Sequence, residues 1–170
     1  MHRSRTLLVT TAAILSLATM AVMSIASATP NTQPDITTAQ TFTVLAHATN
    51  FKMVNVDGKA IDPGDYLVER WALRRSGAPA GRLNDQCTIN FNQTPANPTA
   101  LCLFAFTFSG KGEITAHGSV VFAPAPEGFR PVPFDLPVTG GTGSYQNARG
   151  QIHAQFQDVG DASFTFHLIP

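Results

Sequence analysis

The sequence predicts an all-β protein, an antiparallel set of strands rolled into a closed barrel. Three observations carry this. Short segments that alternate apolar and polar residues recur every ~8–15 residues with turn signals between them, and no helical periodicity follows residue 28. Glycines crowd the stretch from Val138 to Ile152, where Gly140, Gly141, Gly143 and Gly150 lie between two alternating segments. Such a density marks bulges or a sharp bend at a barrel corner, with Arg149 as its one cation. The many glycine kinks, and the lack of an obviously protected edge strand, favour closure.

The chain opens on a processing segment. Met1-His2-Arg3-Ser4-Arg5 is basic, Leu7 to Ile25 is mostly apolar, and Ala26-Ser27-Ala28 supplies the small-x-small pattern of signal cleavage. Residues 1–28 are therefore expected to be a signal peptide, which makes the protein secreted or extracytoplasmic. An uncleaved anchor is the competing reading of the same stretch; nothing later is long and apolar enough to span a membrane. Residues 29–41, polar with two prolines, read as a flexible leader, and residues 42–170 as one domain.

The strands follow in order. Phe42 to Phe51 puts Phe42, Val44, Ala46 and Ala48 on one face, with Leu45 and His47 on the other. Tyr66 to Arg75 aligns Leu67, Glu69, Trp71 and Leu73. Arg82 to Phe91 aligns Asp85, Cys87, Ile89 and Phe91. Leu101 to Phe108 is the most hydrophobic, with Cys102, Phe104, Phe106 and Phe108 sharing a face. Glu113 to Ala123 runs through Gly118, a proline-rich connection fills Pro124 to Pro131, and Val132 to Val138 leads into the glycine corner. Gln151 to Asp158 and Ala162 to Ile169 form a last hairpin, whose simplest turn sets His153 opposite His167 as a solvated outer pair.

Several function classes drop out. Eleven basic and eleven acidic residues balance, and the signal removes Arg3 and Arg5, so no basic stripe is left for nucleic acid. The glycine stretch lacks the Gly-Lys-Ser/Thr and the following helix that a phosphate cradle needs. No metal cluster is read and no cofactor is expected. Cys87 and Cys102 are the only cysteines; in an oxidising compartment such a pair usually forms a disulfide, with two free buried thiols as the alternative.

Read with its flanks, Phe134-Asp135-Leu136-Pro137-Val138-Thr139-Gly140-Gly141-Thr142-Gly143-Ser144-Tyr145 resembles the strand and Gly-Gly-x-Gly corner of the allene oxide cyclase and dirigent barrels. Ala148-Arg149-Gly150 matches the Ala-Arg-Gly that follows in dirigent proteins, and Gly150-Gln151-Ile152 with Phe164-Thr165-Phe166-His167-Leu168 is similar to the closing strands of the cyclases. Phe106 to Gly118 resembles their aromatic strand, glycine turn and next strand. The likeness implies an eight-stranded antiparallel barrel with an apolar cavity, often assembled as a trimer, with Cys87 near the position of a pocket cysteine. It departs at the first strand, where the family's carboxylate is missing and His47 is the only titratable residue, so it carries no catalytic assignment.

Three functions fit this pattern. The first is a secreted barrel that binds a small hydrophobic molecule and steers its reaction, with Trp71, Cys87, Phe104 and Phe106 as ligand contacts. The second is an isomerase or cyclase for an unstable secondary metabolite, with Glu69, His47 and Asp85 as its titratable candidates. The third is a structural barrel filled by its own side chains.

Overall fold

The computed structural model describes residues 38–59, 61–92, 97–126, 128–158 and 160–170. The expected signal peptide, most of the leader and the side chain of Phe91 lie outside them. The strands are β1 (Gln40–Val54), β2 (Tyr66–Arg75), β3 (Ala78–Asn92), β4 (Pro98–Phe108), β5 (Gly112–Ala125), β6 (Gly128–Pro131), β7 (Phe134–Gly141), β8 (Arg149–Asp158) and β9 (Asp161–Ile169). All ladder pairings are antiparallel. The order β4-β3-β2-β1-β9-β8-β7-β5 is closed by pairing of β4 with β5, which makes an eight-stranded barrel; β6 hangs on the end of β5. Alternation decides what faces in. Phe42, Val44 and Ala46 of β1 are buried while Leu45 and His47 face out, and Cys102, Phe104, Phe106 and Phe108 of β4 are all buried.

One end of the barrel is solid. Phe42 stacks on Phe166 at 4.7 Å between centroids and meets Phe108 edge-on at 5.8 Å; Phe106 packs edge-on against Phe164 and Phe166. Tyr145 closes this base from a single 3-10 turn, Gly143–Tyr145, between β7 and β8. Burying each such ring stabilises the fold by ~2 kcal/mol, so the base is where the barrel is anchored. The glycine corner serves this end. Gly140 and Gly141 are still within β7, where a bulge shifts the register against β5 between Thr115 and Ala116. Gly143 (φ 62°) and Gly150 (φ 125°) adopt left-handed backbone, and a Cβ on Gly150 would run into the His167 carbonyl oxygen. Exposed Arg149 starts β8.

The structure corrects several expectations. Gln40 and Thr41 belong to β1, paired with Leu168 and His167, and not to a flexible leader. Part of the proline-rich connection is a strand, because β6 pairs outside the barrel wall, where Pro131 has no second ladder to serve. His153 stands opposite Thr165, not His167. The β8–β9 turn closes one residue tighter than expected, with Asp158 opposite Asp161, and a register shift between Phe156 and Asp158 adds the second residue of offset. His153 instead meets Asp135 at 2.9 Å, and His167 meets Thr41 at 3.3 Å.

Candidate functional site

Toward the other end the barrel is hollow. β1 pairs with β9 only as far as His47, and its continuation to Val54 pairs with β2 alone, so the wall parts there. Inside lies a cavity of about 620 Å³, within the usual range of small-molecule sites. Its walls are apolar: Leu67, Ile89, Val120 and Phe122 line it together with the aromatic side chains of Trp71, Phe104, Phe134 and Phe156. Phe51, Ile61 and Phe129, each more than a third exposed, stand around its opening with Arg130 of β6.

The floor is polar. Glu69 and Asp85 face inward because they alternate with Leu67, Trp71 and Cys87, and the β2–β3 register sets them directly opposite each other. The Trp71 indole Nε1 donates to Asp85 Oδ1 at 3.0 Å. The two carboxyl groups also hydrogen-bond to each other, which requires a proton between them. Asp85 is only 7% exposed. Burial, reinforced by the charge of Glu69 beside it, pushes its carboxyl up to about 9. Burial also raises Glu69 above the ordinary carboxylate range. The pair titrates as a unit, and at neutral pH Asp85 holds a proton. A neutral acid next to a carboxylate in an apolar cavity can donate a hydrogen bond to a carbonyl or ring nitrogen and take a proton back nearby.

Of the residues singled out from sequence, Trp71, Cys87, Phe104, Glu69 and Asp85 meet in this one cavity. Two do not. Phe106 lies in the solid base, completely buried among other phenylalanines, and is not part of this cavity's lining. His47 is on the outer face, where its Nδ1 lies 2.7 Å from Asp161 Oδ1, both side chains at least half exposed. Cys87 and Cys102 are direct cross-strand neighbours joined by a disulfide, which forms part of the cavity wall. Arg70 points outward to Asn84 and makes no rim pair with Glu69.

Sequence reasoning missed Phe134 and Phe156, although alternation in their strands was enough to turn both inward. It also missed that Glu69 and Asp85 meet. A wider concavity of about 730 Å³ lies on the outside of the same wall, lined largely by outward side chains such as Arg70, Asn84, Gln86, Leu103 and Thr139. Glu69 and Asp85 border this concavity too, but strand parity turns both side chains to the inward face with Leu67, Trp71 and Cys87, so their chemistry is assigned to the interior.

The fold has solved counterparts. A pyocyanin demethylase superposes with a TM-score of 0.63 at 24% identity, covering 76% of this chain and 99% of that one. The exo-specific intermolecular Diels–Alderase AbnU gives 0.58 at 14% identity, over 77% and 98%. The pterocarpan synthase dirigent protein GePTS1 gives 0.53 at 16% identity, over 77% and 87%. The chain has the fold of the dirigent and Diels–Alderase barrels. At these identities the likeness concerns the fold alone, and no family profile or curated protein matches the sequence itself.

Proposed function

We propose that this is an exported small-molecule barrel that holds an apolar compound in its hollow half and steers that compound's rearrangement or cyclisation. The cavity supplies shape, and the Glu69–Asp85 pair supplies a proton. The observation that carries the reading is the position of that pair: two hydrogen-bonded carboxyl groups on the floor of an otherwise apolar, ligand-sized cavity. A filled structural barrel would have no reason to bear the desolvation of two facing acids. Asp85 donates its O–H to the acceptor atom of the bound compound, Glu69 receives the proton released from a neighbouring carbon, and the pair ends the cycle with the same number of protons. The walls exclude water and fix which conformer reacts. Solved barrels of this fold include proteins titled as Diels–Alderases, a dirigent pterocarpan synthase and a pyocyanin demethylase, which supports small organic molecules as the class of substrate. Export is supported by the signal pattern at residues 1–28 and by a disulfide in the wall.

The test starts from protein purified from its host and extracted with organic solvent. A co-purified apolar compound is expected by mass spectrometry, and returning it to empty protein should quench Trp71, the only tryptophan of the chain. Conversion of that compound or its precursor should fall by about 100-fold or more in Asp85→Asn. A protein that extracts clean and whose fluorescence ignores apolar dyes would refute the reading.

A further inference from the structure

We propose that the cavity selects an aromatic cation, a ring system whose positive charge sits on a quaternised ring nitrogen, and that the Glu69–Asp85 pair is its counter-charge. This rests on the ligand-binding reading above and narrows it. Two carboxyl groups that share a proton keep one negative charge between them. Among the described residues the charged groups lining the cavity are Glu69, Asp85 and Arg130. Arg130 is opposite Ala123 on β5, well toward the opening, whereas Asp85 is at the level of Phe104 and Ala116. The cations nearest in sequence, Arg70 and Arg82, are exposed on the outer wall, as is Lys52 of β1. Opposite Glu69 across β1 stands Phe51, and opposite Asp85 across β4 stands Phe104. The floor's negative charge therefore has no cationic side chain facing it from β1, β2, β3 or β4.

A neutral apolar ligand that expelled water from this floor would leave that charge without a counter-ion. A cationic ligand would cancel it. The walls then add their own preference, because the aromatic rings of Trp71, Phe104, Phe134 and Phe156 line the same cavity as the pair, and aromatic rings bind cations. The rings of Trp71, Phe104, Phe134 and Phe156 carry no hydrogen-bond acceptor, so the several N–H groups of an ammonium among them would depend on the floor pair. A charge carried on an alkylated ring nitrogen brings no N–H to satisfy, and it stacks.

N-methylquinolinium and quinoline isolate the charge, since they share shape and quinoline is neutral at neutral pH. Binding to the full protein is followed by Trp71 fluorescence and by calorimetry. We expect the cation to bind about tenfold tighter than quinoline, and the difference to collapse in the double variant E69Q/D85N, which keeps size and hydrogen bonding but removes the charge. The single variant E69Q, which removes the charged partner while Asp85 keeps its proton at neutral pH, should shrink the preference in the same way and serves if the double variant does not fold. Equal or tighter binding of quinoline to the wild type would overturn the inference while leaving the cavity reading intact. A cation preference that survives in both variants would overturn it as well. Binding of neither compound by either method would remove the cavity reading together with the inference.

Discussion

Replacing Asp85 by Asn should make this protein more stable. The folded structure raises the Asp85 carboxyl from 3.8 to about 9, through burial first and the neighbouring Glu69 charge second. The folded form thus binds the proton more tightly than the unfolded chain does. The group's stabilising contribution is complete below the unfolded value and is lost as pH rises toward the folded one. At neutral pH the unfolded chain has released this proton and the fold has not. Each unit of separation is worth ~1.4 kcal/mol, so keeping the acid protonated in the cavity costs up to about 4 kcal/mol at neutrality. Asn reproduces the protonated acid: its Oδ1 can accept from Trp71 Nε1, and its amide can donate to Glu69. Water entering at the open end already relieves part of the cost, so we expect a gain of about 2 kcal/mol, or ~5 °C in Tm. Urea unfolding of both proteins, read by circular dichroism from mildly acidic to mildly alkaline pH, would show it. Wild-type stability should fall relative to the variant as pH rises through this window. A variant that is less stable at neutral pH, with a parallel pH profile, would refute a buried shared proton.

Other perturbations test other parts of the structure. Converting both Cys87 and Cys102 to Ser removes a crosslink across a separation of 15 residues, and should cost about 3 kcal/mol in chemical denaturation under non-reducing conditions. Gly150→Ala forces a Cβ against the His167 carbonyl at φ 125°; we expect a loss of about 3 kcal/mol or more in the same assay. His47→Ala removes an exposed pair with Asp161, so stability should move by less than ~1 kcal/mol and Trp71 quenching by ligands should be unchanged. The trimer implied by the family resemblance is checked by light scattering, with a mass three times that of the monomer expected.

The barrel was legible because alternation is a local property. Most inward faces from Phe42 to Leu168 could be read from period two, Phe51 beyond the β1 bulge being an exception, and the disulfide joins residues on two such faces. The site was less legible because it depends on register. Ser76 (φ 50°) and Gly77 (φ 80°) make a two-residue turn between β2 and β3, with Arg75 opposite Ala78. Extended without interruption, that register would set Glu69 against Asn84. A shift between Leu73 and Arg74 moves the ladder by one residue and brings Asp85 across from Glu69. Nothing in the local pattern announces that bulge. A tighter β8–β9 turn and the same kind of shift near Phe156 together moved His153 from His167 to Thr165. His47 and Phe106 failed as site residues for a different reason: strand parity says in or out, while only the three-dimensional packing says which end of the barrel is filled.

A cylinder that is stone at one end and cup at the other divides its obligations along its own length. Each strand contributes a stretch to both, so the rings around Phe166 can hold the shape while residues nearer the rim change with few consequences for folding. Selectivity for a new guest could then arise from a handful of substitutions at Phe51, Ile61, Phe129 or Phe134, with the foundation left as it stands.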